Sequence, residues 1–265
     1  MATTMAKKRL IPKLQMRASI KNPSRMVLVT TVGFQDSIEV GDPVSQAKIY
    51  QSQAADELLF LDLDASDQNR APRIEIIERA AEEIFMPFTV GGGVRSVEDF
   101  RRLLRHGADK VSVNSHAFRN PTLISEAANA FGSQCVVLSI DYRYDADGEA
   151  RVHIHNGRTA TQKSVAAWAQ EAEALGCGEL LITSIDRDGG REGLDCDLAR
   201  KISELVSIPV IISGGAGKTQ DFIAAFQKTN VSAVSAGTYF CFKDENPMQT
   251  RSQIKNHGIN IRIVT

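Results

Sequence analysis

One segment of this chain occurs twice, and the spacing of the two copies constrains the fold more than any other feature. Phe88-Thr-Val-Gly-Gly-Gly-Val-Arg-Ser-Val-Glu-Asp-Phe100 reappears as Val210-Ile-Ile-Ser-Gly-Gly-Ala-Gly-Lys-Thr-Gln-Asp-Phe222, which matches Gly93 to Gly215 at an offset of 122 residues (215 − 93). The same offset joins Glu57-Leu-Leu to Glu179-Leu-Leu and Asp64 to Asp186. In a chain of 265 residues this offset is close to half the length, so it describes two similar halves, not an array of short repeats.

The pattern within each half is strand, loop, helix. Near-continuous apolar runs at 9–16, 57–63, 87–91, 109–113, 134–141, 178–185, 208–213 and 231–236 predict eight strands buried on both faces. Amphipathic stretches near 43–54, 72–85, 96–106, 120–131, 161–175, 195–205, 218–228 and 247–257 predict the helices between and after them. Pro43 and Asn120-Pro121-Thr122 are helix-start signals, and Gly107 and Gly176 are helix C-caps. Eight strands alternating with helices fit either an α/β (β/α)8 TIM barrel or a doubly wound open sheet. The half-length repeat selects the barrel, because two four-strand halves close on one another. Residues 1–265 are accordingly read as a single (β/α)8 domain. Two connections break the plain alternation: residues 17–42, where Met26-Val-Leu-Val-Thr30 suits an extra hairpin, and residues 142–160, with Asp145-Ala-Asp-Gly148 as a turn. Both follow strand C-termini, the end at which barrels carry their active sites.

Composition excludes several classes. With 31 basic and 32 acidic side chains, the chain is too neutral for a dedicated nucleic-acid binder. No apolar run reaches the length of a membrane span, and Met1 to Lys8 lacks the apolar core of a signal peptide, so a cytoplasmic protein is expected. Cys135, Cys177, Cys196 and Cys241 lie far apart without a C-x-x-C pair, so they are read as free thiols, and no metal site or cofactor is expected. His153 and His155 alternate, as two ligands on one strand face would. With no third ligand evident, a solvated hairpin pair is the plainer reading.

Gly91-Gly92-Gly93 with Asn114-Ser115, and Gly214-Gly215 with Gly237-Thr238, form two repeat-related sets of bare backbone N–H groups of the size that cradles a phosphate. A single glycine pair would indicate only a tight strand-to-helix turn; the duplication points to a ligand with two phosphates. Asp141 closes the apolar strand Val136 to Ile140, and Asp186 and Asp188 follow the strand ending at Ile185, as catalytic carboxylates at a barrel mouth would. Helix capping or loop ordering is the structural alternative, with Arg187 as the natural partner of both Asp186 and Asp188.

Gly41-Asp-Pro43, Asp56-Glu-Leu-Leu-Phe-Leu-Asp62, Phe88 to Gly93, Gly107-Ala-Asp-Lys-Val-Ser112, Thr183-Ser-Ile-Asp-Arg-Asp-Gly189 and Ser213-Gly-Gly-Ala-Gly-Lys218 resemble the HisF family, the cyclase subunits of imidazole glycerol phosphate synthase, from about Arg9 to Arg262. The resemblance implies a barrel that takes ammonia from a HisH-like glutaminase docked at its N-terminal face. At the opposite face two aspartates act as acid and base on a bisphosphate, for which Gly92, Gly93, Asn114, Ser115, Gly189, Gly214, Gly215, Gly237 and Thr238 are the candidate phosphate-binding residues. The second of the two aspartates falls on Asp141, and Asp188, which follows a later strand, is a further catalytic candidate. The first falls on Gln15, a neutral amide that cannot take a proton from a substrate at neutral pH, and a loop lysine of the family falls on Thr30. The charged gate at the family's barrel foot falls on Arg9, Glu57, Lys110 and Glu179.

These departures set the functional expectation. The resemblance extends to diverged HisF-like proteins that supply ammonia for amidation of a sugar in surface-polysaccharide (O-antigen) biosynthesis, with an amidotransferase-type synthetase as a third partner. Gln15 with Thr30 favours that role, with an impaired cyclase centre. The alternatives are a histidine-pathway cyclase subunit in which Asp62 or Asp64 stands in for the missing carboxylate, and a scaffold barrel that binds a phosphorylated ligand without turnover.

Overall fold

The computed structural model describes residues 7–242 and 245–262; residues 1–6 of the stretch read for a leader lie outside them. The first half runs β1 (Arg9–Ala18), β2 (Met26–Val32), β3 (Gln35–Gly41), α1 (Pro43–Ser52), β4 (Leu58–Asp62), α2 (Ile74–Glu83), β5 (Phe88–Gly91), α3 (Val97–Arg105), β6 (Lys110–Val113), α4 (Ser115–Arg119) and α5 (Thr122–Phe131). The second runs β7 (Val136–Tyr144), β8 (Ala150–Ile154), β9 (Thr159–Ser164), α6 (Val165–Ala174), β10 (Glu179–Ser184), α7 (Cys196–Leu205), β11 (Val210–Ser213), α8 (Thr219–Lys228), β12 (Ala233–Ala236), α9 (Thr238–Phe242) and α10 (Pro247–Asn256). Parallel pairing in the order β10-β11-β12-β1-β4-β5-β6-β7, with β7 returning to β10, closes an eight-stranded (β/α)8 barrel. All eight predicted barrel strands and all eight predicted helices are present. The five-residue α4 and α9 are additional, because neither is long enough to show a helical period.

The repeat is visible in hydrogen bonds as well as in topology. Asp99 Oδ2 accepts from the Arg95 and Ser96 amides at the start of α3, and Asp221 Oδ2 accepts from the Gly217 and Lys218 amides at the start of α8. A Cβ on Gly92 would stand 2.1 Å from Asp62 O, and one on Gly214 would stand 2.4 Å from Ser184 O. Both glycines therefore let the loop pass against the end of the preceding strand, with φ of 101° and 89°. The tight-turn explanation accounts for these two glycines by itself, so their identity alone carries no evidence of a ligand.

Both expected hairpins exist. β2 pairs antiparallel with β1 and β3, and its turn places Gly33 and Phe34 at φ 57° and 65°, the left-handed pair that a two-residue turn between twisted strands requires. β8 pairs antiparallel with β7, and Gly148 N donates to Asp145 O in the expected turn. The two hairpins meet over the mouth, where a Gly157 Cβ would lie 3.2 Å from the Phe34 ring. They are also repeat partners: Arg17 at the end of β1 pairs with Asp64 at 3.0 Å, and Arg143 at the end of β7 pairs with Asp186 at 2.7 Å. No helix among the described residues is long and apolar enough to cross a membrane.

Candidate functional site

Strand β1 sets the axis of the site. Side chains alternate across a strand, so Leu10, Leu14 and Met16 pack outward into the helix-facing core. Arg9, Ile11, Lys13 and Gln15 then form the inward row, and Ile11 belongs to a separate apolar layer with Leu59, Val137, Leu181, Ile211 and Ala233. Read from foot to mouth, the interior is thus charged, apolar, then polar.

At the foot, the four residues expected as a gate close a ring. Arg9 reaches Glu57 at 2.7 Å and Glu179 at 2.5 Å, and Lys110 reaches the same two carboxylates at 3.1 and 2.8 Å. Each acid touches both bases, so the charges alternate around the ring. Burial would raise the Glu57 pKa, but the neighbouring Arg9 and Lys110 charges hold it below the ordinary value. Burial works against the Arg9 charge as well, and Glu179 and Glu57 more than offset it.

At the mouth, a cavity of about 340 Å³ is lined by Gln15, Thr31, Gly92, Gly93, Asn114, Ser115 and Asp141, among others. A smaller cavity beside it is lined by Asp188, Gly189, Gly214, Gly215, Gly237 and Thr238. The structure therefore brings the two glycine cradles to one face, each with the partners expected from the sequence. Ser115 Oγ accepts the His155 amide at 2.9 Å, which ties the second hairpin to the rim of the first cradle.

Gln15 and Asp141 occupy equivalent places in the two halves. Gln15 stands opposite Leu61 and Asp141 opposite Thr183, and those two neighbours are themselves separated by the repeat offset. The carboxyl of Asp141 is buried and accepts Asn114 Nδ2 at 2.7 Å. Burial pushes its pKa up to about 7; the Asn114 bond and the Lys13 charge oppose that rise, and Asp188 adds to it. Gln15 instead donates to Thr31 Oγ1 at 3.3 Å, and that hydroxyl donates to Asp188 Oδ2 at 2.7 Å.

Several expectations need correction. Asp186 and Asp188 are not partnered by Arg187, which donates to Gly193 O; Arg143 pairs with Asp186, while Lys13 holds Asp188 at 3.2 Å. Asp62 and Asp64 are not spare carboxylates. Arg70 grips Asp62 with two bonds of 2.6 and 2.9 Å, and Asp64 accepts from Arg17 and the Ala18 amide. Thr30 sits in β2 and is absent from the residues lining the mouth; its neighbour Thr31 faces the cavity, since adjacent strand residues point to opposite faces. His153 and His155 do not share a strand face, because β8 ends at Ile154 and His155 turns away at φ 53°. No group of three metal-ligating side chains occurs among the described residues. The four cysteines are free.

Lys13 and Thr31 are two residues of the mouth that the sequence does not single out. Lys13 was legible in principle: with Arg9 and Gln15 assigned to the barrel interior, strict alternation puts Lys13 there too. Thr31 was not, because its facing depends on the register of β2 against β1.

Comparison with known proteins bears on the whole chain. A family model described as "Histidine biosynthesis protein" matches residues 18–246. The chain is 47% identical over 259 residues to "Imidazole glycerol phosphate synthase subunit HisF" of Geobacillus kaustophilus, covering 97% of this chain and 100% of that one. It is 48% identical over 261 residues to "Putative imidazole glycerol phosphate synthase subunit hisF2" of Prochlorococcus marinus, covering 98% and 99%. The subunit HisF of Streptococcus sanguinis is 41% identical over 259 residues, with 98% and 100% coverage. These relatives overturn the surface-polysaccharide expectation and favour the cyclase alternative. Two positions, Gln15 and Thr30, were too little to assign a different pathway, and these matches give the synthetase partner no support. By the extent of these matches, the chain belongs to the HisF family of histidine biosynthesis proteins.

Proposed function

We propose that this barrel is the ammonia-accepting cyclase subunit of an imidazole glycerol phosphate synthase, acting in histidine biosynthesis on a bisphosphate held across its mouth. The observation that carries the reading is the pairing of two chemistries on one axis: a buried carboxyl in the cavity of one glycine cradle with a second cradle beside it at the mouth, and a closed ring of four charges at the foot. The relatives named above support it.

Gln15 limits how the chemistry proceeds. An amide offers hydrogen bonds but cannot act as a general acid or base at neutral pH, so Asp141 must serve as acid and base in turn. Its pKa of about 7 suits that double task, because both protonation forms are well populated near neutrality. Gln15 and Thr31 then orient the reacting groups, and Asp188 steers through its bonds to Thr31 and Lys13. Ammonia arrives from a glutaminase docked over the foot, where Arg9, Glu57, Lys110 and Glu179 act as the gate.

The test is turnover of the histidine-pathway bisphosphate by the purified chain with ammonium salts, followed by addition of a glutaminase subunit and glutamine. Product formation with ammonium is expected; none at saturating substrate, with the fold intact, sinks the proposal. A second measurement concerns Gln15. Gln15→Asp is expected to raise kcat, up to about 10²-fold, with KM changed little, because it supplies the second proton-transfer group. An unchanged kcat would show that this position takes no part in proton transfer.

A further inference from the structure

The second cradle contains a charge arrangement that the repeat does not explain. Asp188 lines it, and a carboxylate beside a phosphate site repels the ligand. Lys13 lines the same cradle and the main cavity as well. It is 4% exposed, its Nζ lies 3.2 Å from Asp188 Oδ1, and its Cε lies 3.6 Å from the place a Gly237 Cβ would take. The ammonium end therefore rests between Asp188 and the Gly237-Thr238 turn. Its counterpart in the other half is Ser139: Lys13 stands opposite Leu59 and Ser139 opposite Leu181, neighbours again separated by the repeat offset. The cation is thus peculiar to one half of the barrel.

Two further groups in this cradle lack partners. Ser213 Oγ and Ser235 Oγ are buried and make no hydrogen bond among the described residues, although both residues line the cavity. Buried hydroxyls without partners are costly, and an anion accepting from them would remove that cost.

We infer that Lys13 is the counter-cation for a phosphate group in the second cradle, and that Asp188 holds it in reserve until the anion arrives. The inference rests on the bisphosphate reading of the mouth. On binding, the ammonium turns from Asp188 toward the phosphate oxygens, with Ser213, Ser235 and the Gly215 and Thr238 amides completing the cradle. The first cradle, where Ser139 takes the place equivalent to Lys13, is the site for comparison.

Inorganic phosphate is the probe, applied to the full chain by titration calorimetry and by soaking crystals so that each cradle is read separately. The parent is expected to show an anion in both. Lys13→Met should lose the second anion, with affinity there reduced about tenfold or more, and keep the first. Asp188→Asn, which frees Lys13, should tighten the second site by about as much. Because Lys13→Met leaves Asp188 buried and unpaired, the Lys13→Met/Asp188→Asn double variant removes both charges and separates binding from folding. A double variant that still lacks the second anion supports the inference; one that binds phosphate there as the parent does overturns it, since Lys13 would then serve only Asp188. Full occupancy of both cradles in folded Lys13→Met likewise refutes the role of Lys13 and leaves the bisphosphate reading standing. Phosphate at neither cradle of the parent refutes both.

Discussion

Asp141→Asn is expected to lower kcat by about 10²–10⁴-fold and, in the same molecule, to stabilise the fold above neutral pH. The first effect follows from the absence of a second carboxyl at Gln15: Asp141 is the proton-transfer group of the mouth in this reading. The second follows from linkage. The ordinary carboxyl value is 3.8 and the folded value is about 7, so the folded state keeps a proton that the unfolded state releases. Below about pH 4 both states are protonated and the group is neutral toward stability. Between about 4 and 7 the unfolded chain ionises first, and stability falls as pH rises. Above about 7 the full penalty applies, roughly 4 kcal/mol from a shift of about three units. Asparagine is close in shape and carries no charge, so it should flatten this part of the profile while still accepting from Asn114. Urea unfolding of parent and variant at about pH 5 and pH 8.5 reads the difference directly. A variant no more stable than the parent at the higher pH would mean that the mouth solvates the carboxylate well and that Asp141 titrates like an ordinary acid.

Breaking the ring at the foot is expected to have the second large effect. Arg9→Ala leaves Glu57 and Glu179, both under 10% exposed, to share Lys110 alone. Removing one partner from a buried ion pair costs about 3–5 kcal/mol, chiefly through the charge left behind. Arg9→Lys keeps the charge with fewer donors and should remain folded, which allows function to be separated from stability. If the ring is a gate, glutamine-dependent turnover in the complex with its glutaminase should fall for either variant while ammonium-dependent turnover stays near the parent's. Equal retention of both activities in a folded variant would reduce the ring to a structural element of the barrel foot.

How much of this was legible beforehand depends on the range of each interaction. The eight barrel strands, the eight long helices and the two hairpins all follow from local periodicity and turn residues, and the half-length repeat was enough to choose a closed barrel over an open sheet. Asp141 and the glycine turns were also identifiable, because each sits at a strand end and strand ends converge in a barrel; the four charges of the foot were identified only through the resemblance to the HisF family. Partner choice was not. Arg187 is adjacent to Asp186 and Asp188 in the chain, yet Asp186 takes Arg143, 43 residues away, and Asp188 takes Lys13, 175 residues away. Sequence proximity says little about ion pairing where strands far apart in the chain lie side by side.

The same distinction separates Thr30 from Thr31 and gives Gln15 its meaning. The pattern of the chain determined the barrel and the positions of its mouth and foot, and the resemblance marked Gln15 as the place where a carboxyl was expected. The tertiary structure decided what surrounds that position: an amide bonded through Thr31 to Asp188, an ammonium from Lys13 one step deeper, and the Asp141 carboxyl, whose burial lifts its pKa to about 7. Proton affinity depends on desolvation and on charges brought close by closure of the barrel, and neither exists until strands from both halves surround the same few ångströms of space.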